Sequence, residues 1–272
     1  MTTVLTFAAI GHVTNDYLAT GIAPGGTAVY STLAAAGLGL SARVITSHGP
    51  DFVGLPLLEA AGITVEGGGG ARTTTFEERY EGGVRHARVL AIAEPLVTPA
   101  DADIVFCGPV VGEVAASALA GRLVGVGLQG WLRRFGPRGV VERYIPEDFG
   151  FVAGGHAVFC SVEDLGAAHD RVVADLRARV PIVVVTEGAR GSVVHTAGTS
   201  RHVPAYPTRE VDPTGAGDVF ATAFLIALAR GESPHTAAIW GASAASIVIE
   251  DVGPAALSRI GETAARVERL GG

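Results

Sequence analysis

The feature that most limits the fold of this chain is its alternation of short apolar runs with segments of helical period. Val4–Ile10 reads as a buried strand, and Gly25–Leu38 as an alanine-rich helix entered through two glycines. Arg43–Ser47 returns to strand and Asp51–Ala60 to helix, with Asp51 near its start. Asp103–Cys107, Leu123–Gly127, Ala157–Cys160 and Pro181–Thr186 are further strand-sized runs, while Glu163–Arg179, Gly215–Ala229 and Pro234–Ile249 carry helical spacing. Strands alternating with helices predict an α/β fold, a doubly wound and mainly parallel sheet with helices on both faces. Such sheets bind ligands beyond the carboxyl ends of their strands. With 272 residues, 48% of them hydrophobic, the chain holds enough apolar material for a sizeable core. No repeat or low-complexity linker divides it, so one domain over 1–272 is expected.

One stretch breaks the pattern. RTTTFEERYEGGVRHARVLAI, 72–92, alternates polar and apolar residues around Gly82-Gly83, which is hairpin grammar. A two-stranded flap outside the main sheet serves either as a lid over a site or as an edge hairpin. EGGGGA, 66–71, reads as a flexible joint leading into it.

Composition excludes several chemistries. The net charge is −7 and no basic block occurs, which argues against nucleic acid or anionic membrane as partner. The chain has no lysine; its 20 basic residues are all arginine. A P-loop, a protein-kinase strand lysine and Schiff-base chemistry are therefore out of reach in their usual form. Cys107 and Cys160 each sit in an apolar run and read as buried core residues, compatible with a reducing cytoplasm. The N-terminal run lacks the positive region of a signal peptide, and the longest apolar stretch, Val219–Ala229, falls short of the roughly 20 residues of a membrane span. A soluble, cytoplasmic protein is expected.

DPTGAGD, 212–218, places almost no side-chain bulk between two carboxylates, directly before a strongly helical run. Successive amides at a helix N-terminus make an anion site, and glycine lets an anion approach the backbone. Asp218 would fall in the first turn, where the helix dipole favours the ionised form. A carboxylate beside an anion hole suits phosphoryl transfer: it takes the proton of an attacking hydroxyl while backbone donors stabilise the phosphoryl group. A bare Asp-Gly-helix junction also reads as an ordinary capped helix. The whole string is more specific. It resembles the D-x-T-G-A-G-D signature of the ribokinase, or PfkB-type, carbohydrate kinases. That resemblance implies Asp218 as general base, Gly215, Ala216 and Gly217 as the anion hole, and Asp212 and Thr214 near the nucleotide phosphates.

Other stretches are similar to the same family. GHVTND gives Gly11 and Asp16 in a G-x4-D arrangement, which implies that Asp16 holds substrate hydroxyls; one carboxylate suits two vicinal hydroxyls. Gly25 and Gly26 fit a Gly-Gly pair that lets the acceptor approach the backbone, although Val29 and Tyr30 stand where many members place an asparagine. HGPDFVG, 48–54, resembles a G-x-D-x-x-G stretch in which Asp51 reads as a helix cap. VTEGARGSVV, 185–194, implies that Thr186, Gly188 and Gly191 lie beside the nucleotide, with HTAAIWGASAASIVIEDVG flanking the adenine. CSVEDL departs from the family's N-x-x-E, with Ser161 for the asparagine and Asp164 for the glutamate, Glu163 adjacent; Asp164 is the candidate ligand, through water, of Mg²⁺.

GVGLQG, 125–130, satisfies G-x-G-x-x-G, but WLRRFGPRG after it is a poor helix, and the dinucleotide-binding reading fails. LQGWLR, GPVVGE, CSVED and IVIEDVGP instead resemble the myo-inositol-kinase-like branch, which implies Gln129 and Arg133 in the acceptor pocket, with a surface role the other reading of Arg133 or Arg134. The implied activity is ATP-dependent phosphorylation of a small polyol or sugar, myo-inositol or a related cyclitol leading. The cofactors are ATP and Mg²⁺, with monovalent-cation activation left open. The rivals are a ribose or nucleoside kinase of the same fold, for which Phe76 and Tyr80 would supply stacking, and a binding regulator without catalysis. The unpaired edges of the flap invite a second copy, so a homodimer through the lid is one expectation.

Overall fold

The computed structural model describes residues 4–19, 21–81, 84–115 and 121–271. In chain order the elements are β1 (Thr6–Ile10), β2 (Thr14–Leu18), β3 (Gly21–Gly25), α1 (Thr27–Gly37), β4 (Ser41–His48), α2 (Leu55–Ala60), β5 (Thr64–Gly68), β6 (Thr74–Glu81), β7 (Val84–Ala91), β8 (Ile104–Cys107), β9 (Leu123–Gly127), β10 (Arg133–Phe135), β11 (Val141–Arg143) and β12 (Ala157–Ser161). There follow α3 (Val162–Leu165), α4 (His169–Arg179), β13 (Ile182–Thr186), β14 (Ser192–Thr196), β15 (Thr199–Val203), α5 (Ala216–Ala229), α6 (Pro234–Val248) and α7 (Thr263–Gly271). Nine strands form one sheet in the order β15-β14-β13-β12-β9-β8-β1-β4-β5. Every pairing from β13 to β5 is parallel; only the β13–β14 and β14–β15 pairings, at one edge, are antiparallel.

The apolar runs become central strands because both faces of each are covered. Phe7, Ala9, Ile104 and Phe106 point into a cluster with α1, α5 and α6, while Ala8, Ile10, Val105 and Cys107 point into another with α4. Period-two alternation thus feeds two cores from one strand. Helix α5 is apolar around its circumference, and Val219 to Ala227 are all buried. Such a helix must be enclosed, and it lies against β8, β9 and β12 between α1 and α6. By contrast α4 buries only Val172, Val173 and Leu176 and turns its charges outward. Both cysteines are buried and unpaired, and burial pushes their thiols up. No helix among the described residues is long and apolar enough to cross a membrane.

Several expectations change. The flap at 72–92 is half of a four-stranded sheet, β3-β2-β6-β7, whose other half is 14–25; its Gly82-Gly83 turn lies outside the described residues. Gly25 ends β3 rather than opening a helix, and α1 begins at Thr27. Only Leu55–Ala60 of the 51–60 segment is helical, and Asp51 does not cap it: Asp51 Oδ1 accepts from Thr73 N at 3.1 Å and Thr73 Oγ1 at 2.7 Å. Glu66–Gly68 of the EGGGGA stretch pairs with β4 as an edge strand, not as a free joint. The helix expected over 163–179 breaks at Gly166 into α3 and α4.

Helix α7 is fastened to the segment preceding DPTGAGD. Glu250 accepts from Arg266 Nη1 at 2.8 Å, Arg266 Nη2 at 3.0 Å, Arg259 Nη2 at 2.8 Å and the Thr208 hydroxyl. These donors, Arg266 first, pull the Glu250 carboxyl down to about 2. Because the folded value is depressed, this stabilisation is present above the ordinary glutamate range near 4.5 and is lost as pH falls toward about 2. Arg266→Ala is expected to cost about 1–3 kcal/mol near neutral pH. Urea unfolding at pH 7 and pH 3 checks this, and the penalty shrinks at the lower pH.

Candidate active site

A cavity of about 500 Å³ opens where the four-stranded sheet faces the carboxyl ends of the main strands. Its lining includes Gly108, Leu128, Ser161 and Thr186, at or just past the ends of β8, β9, β12 and β13. The fold therefore places the site where a parallel sheet leaves its strand ends open. The volume falls within the range of small-molecule sites.

Asp218 stands in the first turn of α5, half-buried, on the cavity wall. Desolvation by burial pushes its carboxyl up to about 6; a hydrogen bond from Thr27 and the charge of Arg133 oppose this, and Asp164 reinforces it. Gly215 caps α5 in the left-handed region, φ 78°. A Cβ there would be strained and would overlap the ring of Tyr30, which packs against the glycine. The Ala216 amide donates to Pro213 O at 3.2 Å. The amides of Gly217 and Asp218 follow in the first turn, where a helix has no acceptor of its own.

Across the cavity Asp16 lies on β2, 9% exposed, with Thr14 Oγ1 donating to its Oδ1 at 2.8 Å. Gly25, opposite Thr14 in the pairing, is compelled by this carboxylate: a Cβ would overlap Asp16 Oδ2. Phe76 and Glu78 of β6 line the same side, and Gln129 and Arg133 the far wall. Arg133 Nη1 donates to Val110 O at 3.1 Å, and the guanidinium lies 6.0 Å from the Phe76 ring centroid. Among the described lining residues Arg133 is the only cation.

The other end is built by α3 and the β13–β14 turn. Ser161 Oγ caps α3, accepting from Asp164 N at 3.0 Å and donating to Asp164 Oδ2 at 2.7 Å. Glu163, Asp164, Glu187 and Glu210 also line this end, with Gly188 and Thr214. No cluster of three or more His, Cys, Asp or Glu suited to hold a metal by protein ligands alone occurs among the described residues. Mg²⁺ keeps several waters and takes one or two carboxylates plus substrate phosphates. Asp164, with Glu163 beside it, fits that donor set.

Of the candidate residues, Asp218, Gly215, Ala216, Gly217, Asp16, Gly26, Gln129, Arg133, Ser161, Asp164, Thr186, Gly188 and Thr214 share the cavity wall. Gly25, Gly191 and Asp212 stand outside it. Gly191 forms the β13–β14 turn against the Val203–Ala205 backbone. Asp212 braces the motif: Oδ1 accepts from Thr214 N at 3.0 Å and Thr214 Oγ1 at 2.6 Å, and Oδ2 from Gly253 N at 2.9 Å.

Sequence reasoning missed Thr27, Glu78 and Glu113. Thr27 follows the Gly25-Gly26 pair, and that adjacency was the available signal. Glu78 is one period-two step from Phe76 on the flap. Glu113 is 7% exposed behind the wall and accepts from His12 N at 2.7 Å, Val111 N at 2.8 Å and Val110 N at 3.0 Å.

Comparison with known proteins agrees with this architecture. Residues 156–260 match the pfkB family carbohydrate kinase profile. A 5-dehydro-2-deoxygluconokinase of Listeria monocytogenes serotype 4a (strain HCC23) is 46% identical over 69 residues, 25% of this chain and 21% of that protein. The chain thus spans about a fifth of the length of that relative. The inositol 3-kinase of Arabidopsis thaliana is 28% identical over 202 residues, 66% of this chain and 56% of that one. Among solved structures, a pyrophosphate-dependent kinase in the ribokinase family, complexed with a pyrophosphate analog and myo-inositol, superposes with a TM-score of 0.80 at 20% identity, covering 93% of this chain and 99% of that one. Residues 156–260 thus resemble the pfkB family carbohydrate kinases, and the chain as a whole has the ribokinase-like fold.

Proposed function

We propose that this protein transfers the terminal phosphoryl group of ATP to a hydroxyl of a small polyol or sugar, with myo-inositol or a related cyclitol as the favoured acceptor. One observation carries the reading: Asp218, its anion-binding turn and the hydroxyl-binding Asp16 face each other across a single cavity. We read 1–272 as one ribokinase-like domain, with the four-stranded sheet as its lid. The acceptor lies between Asp16 and Asp218, and vicinal hydroxyls donate to the two Asp16 oxygens. Asp218 takes the proton of the attacking hydroxyl. The first-turn amides of α5 offset charge on the transferring group, which is loosely bonded at the transition state, and Arg133 borders the acceptor. Asp164 would hold Mg²⁺ through water, and the ion would there supply further neutralisation of the donor phosphates. Thr186, Gly188 and Thr214 border the donor end, and the lid excludes water as a competing acceptor.

Two details favour a polyol over a nucleoside. Of the two aromatics expected to stack on a base, the Tyr80 side chain lies outside the described residues, and the Phe76 ring already carries the Arg133 guanidinium. Tyr30 lines the cavity and packs its ring against Gly215, which narrows the space beside the anion-binding turn. The Arabidopsis and pyrophosphate-dependent relatives, named for inositol and complexed with myo-inositol, support the same class.

The test is product formation with Mg·ATP, and separately with Mg·pyrophosphate, across cyclitols, pentoses, hexoses and nucleosides. Turnover confined to cyclitols is expected; turnover confined to nucleosides overturns the acceptor reading. The pH profile of kcat has a predictable sign. Asp218 must be ionised to accept a proton, so activity rises with pH through about 6 and is flat above it. An acid limb near 4, where an ordinary aspartate titrates, would show that the base is elsewhere.

A further inference from the structure

We propose that residues 133–143 form a latch that ties the lid to the acceptor-binding arginine, with Arg88 and Gly139 as positioning residues. This segment leaves the cavity wall at Arg133, runs out as β10, turns, and returns as β11, where Arg143 pairs with Arg133. The turn holds the one non-glycine residue with positive φ among the described residues: Arg138, φ 58°, ψ 24°. The turn itself sets this φ, closed by Gly139 N donating to Gly136 O at 3.0 Å, and a further constraint falls on the Arg138 carbonyl.

That constraint is the lid. Arg88 of β7 directs Nε and Nη2 onto Arg138 O, at 3.2 and 3.1 Å, while its Nη1 lies 3.5 Å from Glu77 Oε2. Arg88 also bridges Val140 in antiparallel fashion, so the lid edge at β7 is joined to the hairpin tip. Gly139 makes the approach possible: a Cβ there would overlap the Val89 carbonyl. Arg88 pairs with Glu77, in register between the cavity-lining Phe76 and Glu78, so it grips the lid from its outer face. The base of the same hairpin carries Arg133 over the Phe76 ring. At the returning end, a Cβ on Gly166 would lie 2.6 Å from Arg143 Nη1, which places Arg143 against the end of α3. One short hairpin therefore touches the lid, the acceptor wall and the helix carrying Asp164. When the lid shifts, the carbonyl it grips shifts the hairpin, and Arg133 moves with it.

The activity part of this inference rests on the kinase reading; the mechanical part does not. The test compares wild type with Arg88→Met, Gly139→Ala and Arg138→Gly. Hydrogen–deuterium exchange is measured without ligand, and acceptor KM, donor KM and acceptor-free ATP hydrolysis are measured with Mg·ATP and myo-inositol. Arg88→Met and Gly139→Ala are expected to speed amide exchange in 74–81 and 84–91 and leave β8, β9 and β12 unchanged. Acceptor KM rises about tenfold, the scale of one lost charge-assisted hydrogen bond, acceptor-free hydrolysis increases, and donor KM holds. Arg138→Gly keeps the carbonyl, relieves the backbone and matches wild type. Unchanged exchange in both latch variants overturns the proposal whatever the activity. Faster exchange with an unaltered acceptor KM in an active enzyme overturns the coupling to Arg133. Faster exchange in a protein inactive toward every acceptor supports the latch and sinks the kinase reading instead. If Gly139→Ala does not fold, Arg88→Met carries the test alone.

Discussion

Asp218→Asn is expected to lower kcat by about 10²–10⁴-fold and, at pH 7–8, to make the protein more stable. The activity loss follows from chemistry: asparagine keeps the shape and a hydrogen bond for Thr27 but accepts no proton. The stability gain follows from the raised titration of the carboxyl. An aspartate whose folded value is about 6 against an ordinary 3.8 binds its proton more tightly in the folded state. Its ionisation therefore costs stability, beginning as pH rises past 3.8 and complete above about 6. Removing the charge recovers on the order of 1–3 kcal/mol at pH 7.5 and nothing at pH 3. Turnover and urea unfolding at both pH values decide the matter. An inactive variant that is also less stable at pH 7.5 would make Asp218 a structural residue. An active one would move the base elsewhere in the cavity. A charge kept at a thermodynamic cost is what a site selected for function rather than stability looks like.

What the sequence disclosed depended on whether a signal was local. The central strands were legible because burial on both faces demands unbroken apolar runs, as in IVFC and AVFC. Helix α5 was legible for the same reason. The strands β2 and β3 were not. TNDYL has no apolar alternation and GIAPG holds a proline and two glycines, tolerable because β3 is an edge strand. These strands exist because β6 offers a partner some 60 residues away, and Asp16 is presented from a strand rather than a loop for that reason. Asp51 misled because an acid before a helix-period run is a cap signal, whereas tertiary contact with Thr73 claimed its carboxylate. The motif string located one wall of the site. The Arg133 wall was readable only by resemblance, and the grip of Arg88 on the Arg138 carbonyl left no trace in sequence, since any residue supplies a carbonyl.

Glu113→Ala is the substitution outside the cavity lining with the largest expected effect on folding. The carboxylate sits in a nest of three backbone amides, those of His12, Val110 and Val111, at 2.7 to 3.1 Å. Charged acceptors in such nests make short, strong hydrogen bonds. Alanine leaves two buried donors and one part-buried donor, Val111 N, without an acceptor, at about 1–3 kcal/mol for each buried one before relaxation and water entry. A net loss of about 3–5 kcal/mol follows, or a fall in Tm of about 5–9 °C for a chain of this size. Glu113→Gln keeps one oxygen and loses less. The consequence reaches the site because of what the amides belong to. His12 lies on the segment between β1 and β2 that leads to Asp16, and Val110 O is the acceptor that holds Arg133. In the glutamine variant, folded at 20 °C, acceptor KM should therefore rise while donor KM does not. A uniform fall in kcat with both KM values unchanged would mean that Glu113 supports the fold without positioning the acceptor wall. A loss of less than about 1 kcal/mol in the alanine variant would mean that water replaces the carboxylate in the nest.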